Sequence, residues 1–318
     1  MKQDQISHAA VIGCGMIGPD IATVLLTHGV SVALVGIDDE NVANGMRNVK
    51  RALDDLEAAR VLSKDEKRGA LARLSGGTGY AEAVSEADLV FEAVLEDVGV
   101  KQAVFAELER HARPDALLCS STSGLSPLDI GEPLSDKARM AVTHFWNPPY
   151  LVPLVEIVPH PEMSEEYRSR VERFIASVGK EPVVLKKDIA GHIGNRLQHA
   201  LYREALYLIE QGVATPDDID RVVLNSFGPR FSAIGPMEYF DSCGLDLHQK
   251  VQSYLYPTLC NAEAVQDVVL RRIEDGKLGS KTGEGLYDWS ERDEDDFRRR
   301  RNSRFIERLR QQHRTEQE

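Results

Sequence analysis

The sequence predicts an α/β protein, an N-terminal Rossmann-type doubly wound sheet followed by a C-terminal all-helical domain. Three observations carry this. The chain opens on strand, glycine turn and helix; strands and helices then alternate to about Lys187; from Ile189 onward apolar residues recur at helical spacing only.

The opening element is the apolar run His8-Ala-Ala-Val-Ile12. Gly13-Cys-Gly15-Met16-Ile17-Gly18 follows at once, then an apolar-periodic helix over 19–28 and a second strand over 30–35. In a G-x-G-x-x-G turn the first glycine permits the tight turn, the second lets backbone approach a pyrophosphate, and the third lets helix pack on strand; the phosphate charge faces the helix N-terminus. A dinucleotide cofactor is therefore expected at Gly13, Gly15, Met16, Ile17 and Gly18. The carboxylate that binds the adenosine ribose belongs at the tip of the second strand. Gly36 stands there, so that task falls to Asp38 or Asp39. No Arg or Lys lies between Val30 and Met46 to neutralise a 2′-phosphate, which favours NAD over NADP.

A charge-rich, double-helical excursion over 40–74, broken near Val61-Leu62-Ser63, precedes a strand over 88–94, a helix over 98–111 and a strand over 117–120. Ser121-Thr122-Ser123-Gly124-Leu125 is then a polar turn where a strand's carboxyl end meets the cofactor crevice. Strands over 140–144 and 155–158, a helix over 164–178 and a strand over 182–185 complete the domain at residue 187.

The segment THFWNPPYLVPLVE places His144 and Glu156 twelve positions apart, each in a strand-like run, with Asn147-Pro148-Pro149 between them. A carboxylate beside an imidazole holds one tautomer and readies the ring to move a proton near neutral pH.

The linker falls near 186–190 and the helical domain over 188–290. Ile193, Leu197, Leu201 and Leu208 share a helical face, Gly212 stops that run, and Thr215-Pro216 opens the next helix with a capping hydroxyl. The tail over 291–318 sets Asp293–Asp296 beside Arg298–Arg301, the pattern of a solvated helix.

Composition bounds the function. The 318 residues, 42% hydrophobic, suffice for two cores, and a net charge of −13 argues against nucleic acid or anionic membrane as a partner. No apolar run reaches spanning length and the N-terminus lacks a signal-like apolar stretch, so a soluble cytoplasmic protein with a small-molecule substrate is expected. Cys14, Cys119, Cys243 and Cys260 show no paired spacing, which predicts free thiols and no metal site.

Taken in order, Gly13/Gly15/Gly18, Glu92-Ala-Val-Leu-Glu96 with Lys101, Ser121-Thr-Ser123, His144-Phe-Trp-Asn147-Pro148, Glu156, Gly191-His-Ile-Gly-Asn195-Arg196, Gly235-Pro236 and the stretch from Lys277 to Trp289 resemble the L-3-hydroxyacyl-CoA dehydrogenase family over about residues 8–289. The resemblance implies an NAD-dependent enzyme of fatty acid metabolism that interconverts an L-3-hydroxyacyl-CoA and its 3-oxoacyl-CoA, and a homodimer built through the helical domain. His144 would be the general base and Glu156 its orienting carboxylate. Ser123 and Asn195 would hydrogen-bond the reacting oxygen and nearby substrate atoms, and Glu96 and Lys101 would contact the nicotinamide half of the cofactor. The related 6-phosphogluconate and hydroxyisobutyrate dehydrogenases use a lysine about a turn after a G-x-x-G. Here Gly191 and Gly194 lead into Asn195-Arg196-Leu197-Gln198 instead.

Asn147–Glu162 and Gly228–Pro236 also resemble the lambda-crystallin and gulonate 3-dehydrogenase branch. That opens two alternatives, a dehydrogenase of a free hydroxy acid and a non-catalytic NAD-binding structural protein. Lys50, Arg51, Lys64, Lys67 and Arg68 are available for a CoA nucleotide but are interleaved with acidic residues. Arg230, between Pro229 and Phe231 on an expected loop, would grip a free carboxylate through two parallel hydrogen bonds.

Overall fold

The computed structural model describes residues 6–317, with side chains to residue 311. It divides into two compact units, Met1–Ile193 with Arg299–Glu318, and Gly194–Arg298.

The first unit is built on eight strands, β1 (His8–Ile12), β2 (Ser31–Val35), β3 (Leu74–Gly77), β4 (Leu89–Glu92), β5 (Leu117–Ser120), β6 (Met140–Phe145), β7 (Leu154–Pro159) and β8 (Glu181–Val184), in the order β3-β2-β1-β4-β5-β6-β7-β8. Strands β3 to β6 are mutually parallel, β7 runs antiparallel to β6, and β8 follows β7. The chain winds outward from β1 through β2 to β3 and returns to β4 on the other side of β1. That reversal opens a crevice beyond the carboxyl ends of β1 and β4.

Both faces of the sheet are covered, so the central strands are apolar throughout and not alternating. Ala9 and Val11 of β1 enter one core with Leu34 and Phe91, while Ala10 and Ile12 enter the other with Val90 and Phe105. The covering helices are α1 (Gly18–Thr27), α2 (Asp39–Ala58), α3 (Lys64–Ala72), α4 (Tyr80–Val84), α5 (Val98–His111), α6 (Pro127–Ile130) and α7 (Glu165–Ser177). Asp38 caps α2, and Ser63 with Glu66 closes a reciprocal capping box on α3. The helical excursion thus takes the form of α2 and α3. Strand β3 was not legible beforehand, because Leu-Ser-Gly-Gly has neither alternation nor branched side chains. The open edge of β2 supplies its partners, from Val32 opposite Leu74 to Val35 opposite Gly77.

The second unit holds α8 (Gly194–Glu210), α9 (Pro216–Leu224), α10 (Phe227–Phe231), α11 (Pro236–Ser242), α12 (Leu245–Leu255) and α13 (Asp267–Glu274). Gly212, at φ 67°, lies just past α8, and Thr215 caps α9 with Asp218 in return. No residue in these six helices is buried, and Leu197, Val222, Leu224 and Ile273 are all more than half exposed. Large apolar side chains therefore stay exposed on these helices.

Helix α14 (Glu294–Gln317) corrects the expectation of a solvated tail. Phe305, Ile306 and Leu309 pack against Leu56, Ala59, Val61 and Leu151, and Arg310 donates a hydrogen bond to the Ala59 carbonyl. Dense charge on the remaining faces hides this narrow apolar stripe from a compositional reading. Among the described residues no helix is long and apolar enough to cross a membrane. Ile306→Asp sets an unpaired carboxylate into the contact and should lower the melting temperature by roughly 3–8 °C. Arg308→Asp, at an exposed position of the same helix, should leave it nearly unchanged, and calorimetry of both variants checks the assignment.

Candidate active site

The antiparallel pairing of β6 and β7 sets His144 directly opposite Glu156. Directly opposed residues share a face with their Cβ atoms about 5 Å apart, and the two side chains meet: His144 Nδ1 lies 2.9 Å from Glu156 Oε2. A carboxylate accepts, so Nδ1 carries the proton and Nε2 is left as the basic nitrogen. Both residues are buried, Glu156 to 1% exposure. Its remaining capacity is used by Trp146 Nε1, 3.2 Å from Oε2, and by the Ile193 N–H, 2.9 Å from Oε1. Phe145, on the opposite face of β6, packs edge-on against Phe91 and fixes the strand.

A second buried anion lies at the ends of β4 and β5. Glu92, wholly buried, accepts from Lys101 Nζ at 2.8 Å, the Val94 N–H at 2.7 Å and Ser120 Oγ at 2.5 Å. Lys101 Nζ also reaches Glu96 Oε2 at 3.3 Å, and Glu96 Oε1 accepts from Thr122 Oγ1 and from the Ser123 N–H at 2.9 Å. The Thr122 N–H donates to Ser120 Oγ at 3.3 Å. The bonds close a ring that holds the Ser123 turn against Glu96. Partial burial works against the Glu96 charge, but the Thr122 hydroxyl, the Ser123 N–H and Lys101 outweigh it and hold this carboxyl below the usual range. Lys101 is 1% exposed and its ammonium meets Glu92 and Glu96. It stands behind Glu96, whose side chain is half-exposed.

The glycine turn fits a dinucleotide on steric grounds. A Cβ on Gly13 would come 2.3 Å from the Ala93 carbonyl oxygen, and one on Gly18 would come 1.9 Å from that of Gly13, so both positions exclude a side chain. Gly15 faces open space, and no side chain caps α1, whose first N–H groups are left for an anion. Met16 is exposed at this cradle, where Asn147 Nδ2 approaches its sulfur at 3.4 Å, whereas Ile17 packs into the core. Asp38 is exposed, and its Oδ1 caps α2 by accepting from the Asn41 N–H at 2.7 Å. Gly36 is not a vacated carboxylate position. A Cβ there would sit 2.8 Å from both Asn41 Oδ1 and Val42 Cγ2, so a side chain would collide with the first turn of α2.

Asn195 and Arg230 belong to the second unit. Asn195 is the second residue of α8, and Arg230 lies on the short helix α10 and not on a loop. Its guanidinium carbon sits 4.0 Å over the Tyr239 ring.

His192 was missed as a site residue, although an imidazole between two glycines signalled it. Its backbone is left-handed at φ 53° beside Gly191 at 76°, its side chain is wholly buried, and its ring centroid lies 5.2 Å from that of His144. The Thr122 backbone stands beside the ring, in no well-formed hydrogen bond to either nitrogen. Burial, then the neighbouring His144, push its pKa down against the opposing pull of Glu156, the Thr122 backbone and Asp188. Because the folded protein binds this proton more weakly than the unfolded chain, whose imidazole titrates near 6.5, the stability linked to His192 is complete above about pH 6.5. It is lost as pH falls through the lower folded value. His192→Phe should show a shallower loss of melting temperature on acidification than wild type; parallel curves would contradict this.

Two cofactor variants test the cradle. Gly36→Asp should lower stability and weaken NAD binding, since the new side chain displaces Asn41 and Val42. Asp38→Ala should weaken NAD as well, and calorimetric titration decides both. Tighter NAD binding by Gly36→Asp would overturn the steric account.

Comparisons with known proteins agree with this architecture. Residues 8–189 match the 3-hydroxyacyl-CoA dehydrogenase NAD binding domain, and residues 191–289 match the 3-hydroxyacyl-CoA dehydrogenase C-terminal domain. The chain is 32% identical over 282 residues to a 5-formyl-3-hydroxy-2-methylpyridine 4-carboxylate 5-dehydrogenase of Mesorhizobium japonicum, covering 89% of this chain and 90% of the other. A human lambda-crystallin homolog is 35% identical over 72% of each chain. Among solved structures, one of the same pyridine carboxylate dehydrogenase activity, described as an NAD+-dependent dismutase, superposes with a TM-score of 0.87 at 30% identity over 95% and 97% of the two chains. A (S)-3-hydroxybutyryl-CoA dehydrogenase from Ralstonia eutropha gives 0.74 at 29% identity over 90% and 99%. With both domains matched in tandem over a sheet that carries the dinucleotide cradle, the chain belongs to the 3-hydroxyacyl-CoA dehydrogenase family and is an NAD-dependent oxidoreductase.

Proposed function

We propose that the chain interconverts a small free hydroxy carboxylic acid and its oxo acid, with His144 as the general base. NAD, when bound, accepts the hydride. His144 Nε2 takes the hydroxyl proton, and Glu156 holds the Nδ1–H and stabilises the imidazolium that results. Ser123 and Asn195 orient the reacting oxygen, while Glu96 serves the nicotinamide side and Asp38 the ribose.

The observation that carries the substrate class is Arg230. Its guanidinium is exposed, stacked on Tyr239 and paired with no carboxylate among the described residues, so it is available to a ligand's carboxylate. The full-length likeness to a dehydrogenase named for a pyridine carboxylate supports the same class. An acyl-CoA substrate is the second reading, favoured by the Ralstonia enzyme's name. Against it, Lys67 is tied to Asp54 and Glu57, and Arg68 to Asp65, so part of the basic surface of α2 and α3 is already neutralised. A non-catalytic NAD-binding structural role is the third, and turnover separates it from the others.

In this reading the chain acts as a cytoplasmic homodimer. The uncovered apolar faces of α8 to α13 support a second copy as their cover; sedimentation at micromolar concentration tests it.

A cofactor-reduction assay over free hydroxy acids and 3-hydroxyacyl-CoAs tests the substrate class. His144→Gln should bind NAD normally and lose ~10²–10⁴ in kcat, and Glu156→Gln should also lower kcat; near wild-type turnover by the former would end the assignment. Arg230→Met should raise KM for the free acid strongly and leave activity on a short acyl-CoA unchanged. Equal effects on both substrates would return the reading to the acyl-CoA class.

A further inference from the structure

We propose that the ring formed by Glu92, Lys101, Glu96, Ser120 and Thr122 selects the oxidation state of the cofactor, favouring cationic NAD+ over neutral NADH. The inference uses the cofactor's order along the sheet and is independent of the substrate class.

In a sheet wound from β1 outward to β2 and β3 and back to β4, the pyrophosphate sits at the glycine turn, the adenosine half lies over β2, and the nicotinamide half lies over the ends of β4 and β5. Glu92 closes β4, Glu96 follows it, and the Ser121–Gly124 turn leaves β5. The ring therefore stands on the nicotinamide side. It contains two carboxylates and a single ammonium, with Lys101 and Glu92 at 1% and 0% side-chain exposure and Glu96 at 46%. One negative charge is left over, and the carboxylate that faces outward is Glu96.

Hydride transfer changes the nicotinamide ring from a cation to a neutral ring. A fixed anion nearby binds the first form more tightly and acts little on the second, and low surrounding polarity strengthens the difference. Burial of Glu92 keeps the Lys101 ammonium engaged behind Glu96, so that this lysine does not cancel the outward charge. Thr122 and Ser123 hold Glu96 so that no reorganisation is needed when the ring charge changes. Glu96 is the side chain proposed to face the cofactor, and Glu92 is a positioning residue acting through Lys101.

The test is the ratio of the dissociation constants of NADH and NAD+, measured by calorimetric titration without substrate. Glu96→Gln keeps an oxygen that accepts from Thr122 and Ser123 but loses the charge; the ratio should fall about tenfold, mainly through weaker NAD+ binding. Glu92→Gln, buried within the ring, keeps an acceptor for Ser120 and should move the ratio the same way. Glu107→Gln, on α5 outside the ring, should leave it alone. Equal weakening of both cofactor forms, or an unchanged ratio, in Glu96→Gln overturns the proposal. A shift in Glu96→Gln with none in a folded Glu92→Gln overturns the role of the ring. Melting curves report folding, and if Glu92→Gln is unfolded, Glu96→Gln alone decides.

Discussion

The site depends on burying the Glu156 carboxylate. An ionised carboxylate at 1% exposure is strongly unfavourable unless its oxygens are bonded, and the donors that satisfy it come from separate places: His144 on β6, Trp146 beyond the end of that strand, and the Ile193 N–H in the turn where the first unit ends. The antiparallel register of β6 and β7 must hold, and so must the left-handed turn at Gly191 and His192. Each misplaced donor leaves the buried anion one bond short. The same carboxylate fixes the His144 tautomer, so the constraint that folds this corner also selects the nitrogen left free to act as the proposed base.

The cofactor side follows a different constraint, close approach of backbone. Gly13 crosses the Ala93 carbonyl, Gly18 crosses Gly13, and Gly36 lies under Asn41 and Val42. These contacts draw α1, β4 and α2 tightly around the crevice, and Gly15 alone remains open to it. A glycine where a ribose-binding carboxylate is customary is thus explained by helix packing. The N-terminal turn of α2 lies so close to β2 that the nearest exposed carboxylates are those of Asp38, in the cap position, and Asp39.

Sequence reading captured the elements whose cause is local. The strand–glycine–helix opening, the break between α2 and α3 and the Thr215 cap each follow from residues within a few positions of one another. The His144–Glu156 pair was legible as a spacing, and register turned it into a contact. What escaped depends on distant partners. Strand β3 exists because β2 has a free edge, and α14 docks because Leu56, Val61 and Leu151 wait for three apolar residues hidden among arginines. Nothing in the sequence says that Glu92, nine residues before Lys101, draws that lysine inward. A carboxylate inside the apolar strand Leu-Val-Phe-Glu was the available signal, for a buried charge demands a partner.

The two buried anions acquire a joint meaning once charge is followed through the proposed reaction. Before hydride transfer the positive charge rests on the nicotinamide, near Glu96 and the anion behind it; afterwards it rests on His144 as imidazolium, against Glu156. Oxidation therefore carries one positive charge from one carboxylate system to the other. Neither anion alone sets the direction of the reaction. The balance between them does, and it is tilted by what surrounds each: Lys101 offsets one of the two carboxylates on the nicotinamide side, whereas His144 itself, Trp146 and a backbone N–H donate to Glu156. His192, beside His144 and with its pKa pushed down chiefly by burial, adds no charge to that balance while it stays unprotonated. A second proton on that pair would place two cations about 5 Å apart in a dry site. Keeping His192 neutral thus keeps the proton of catalysis on His144, where Glu156 can hold it and the oxo product can take it back.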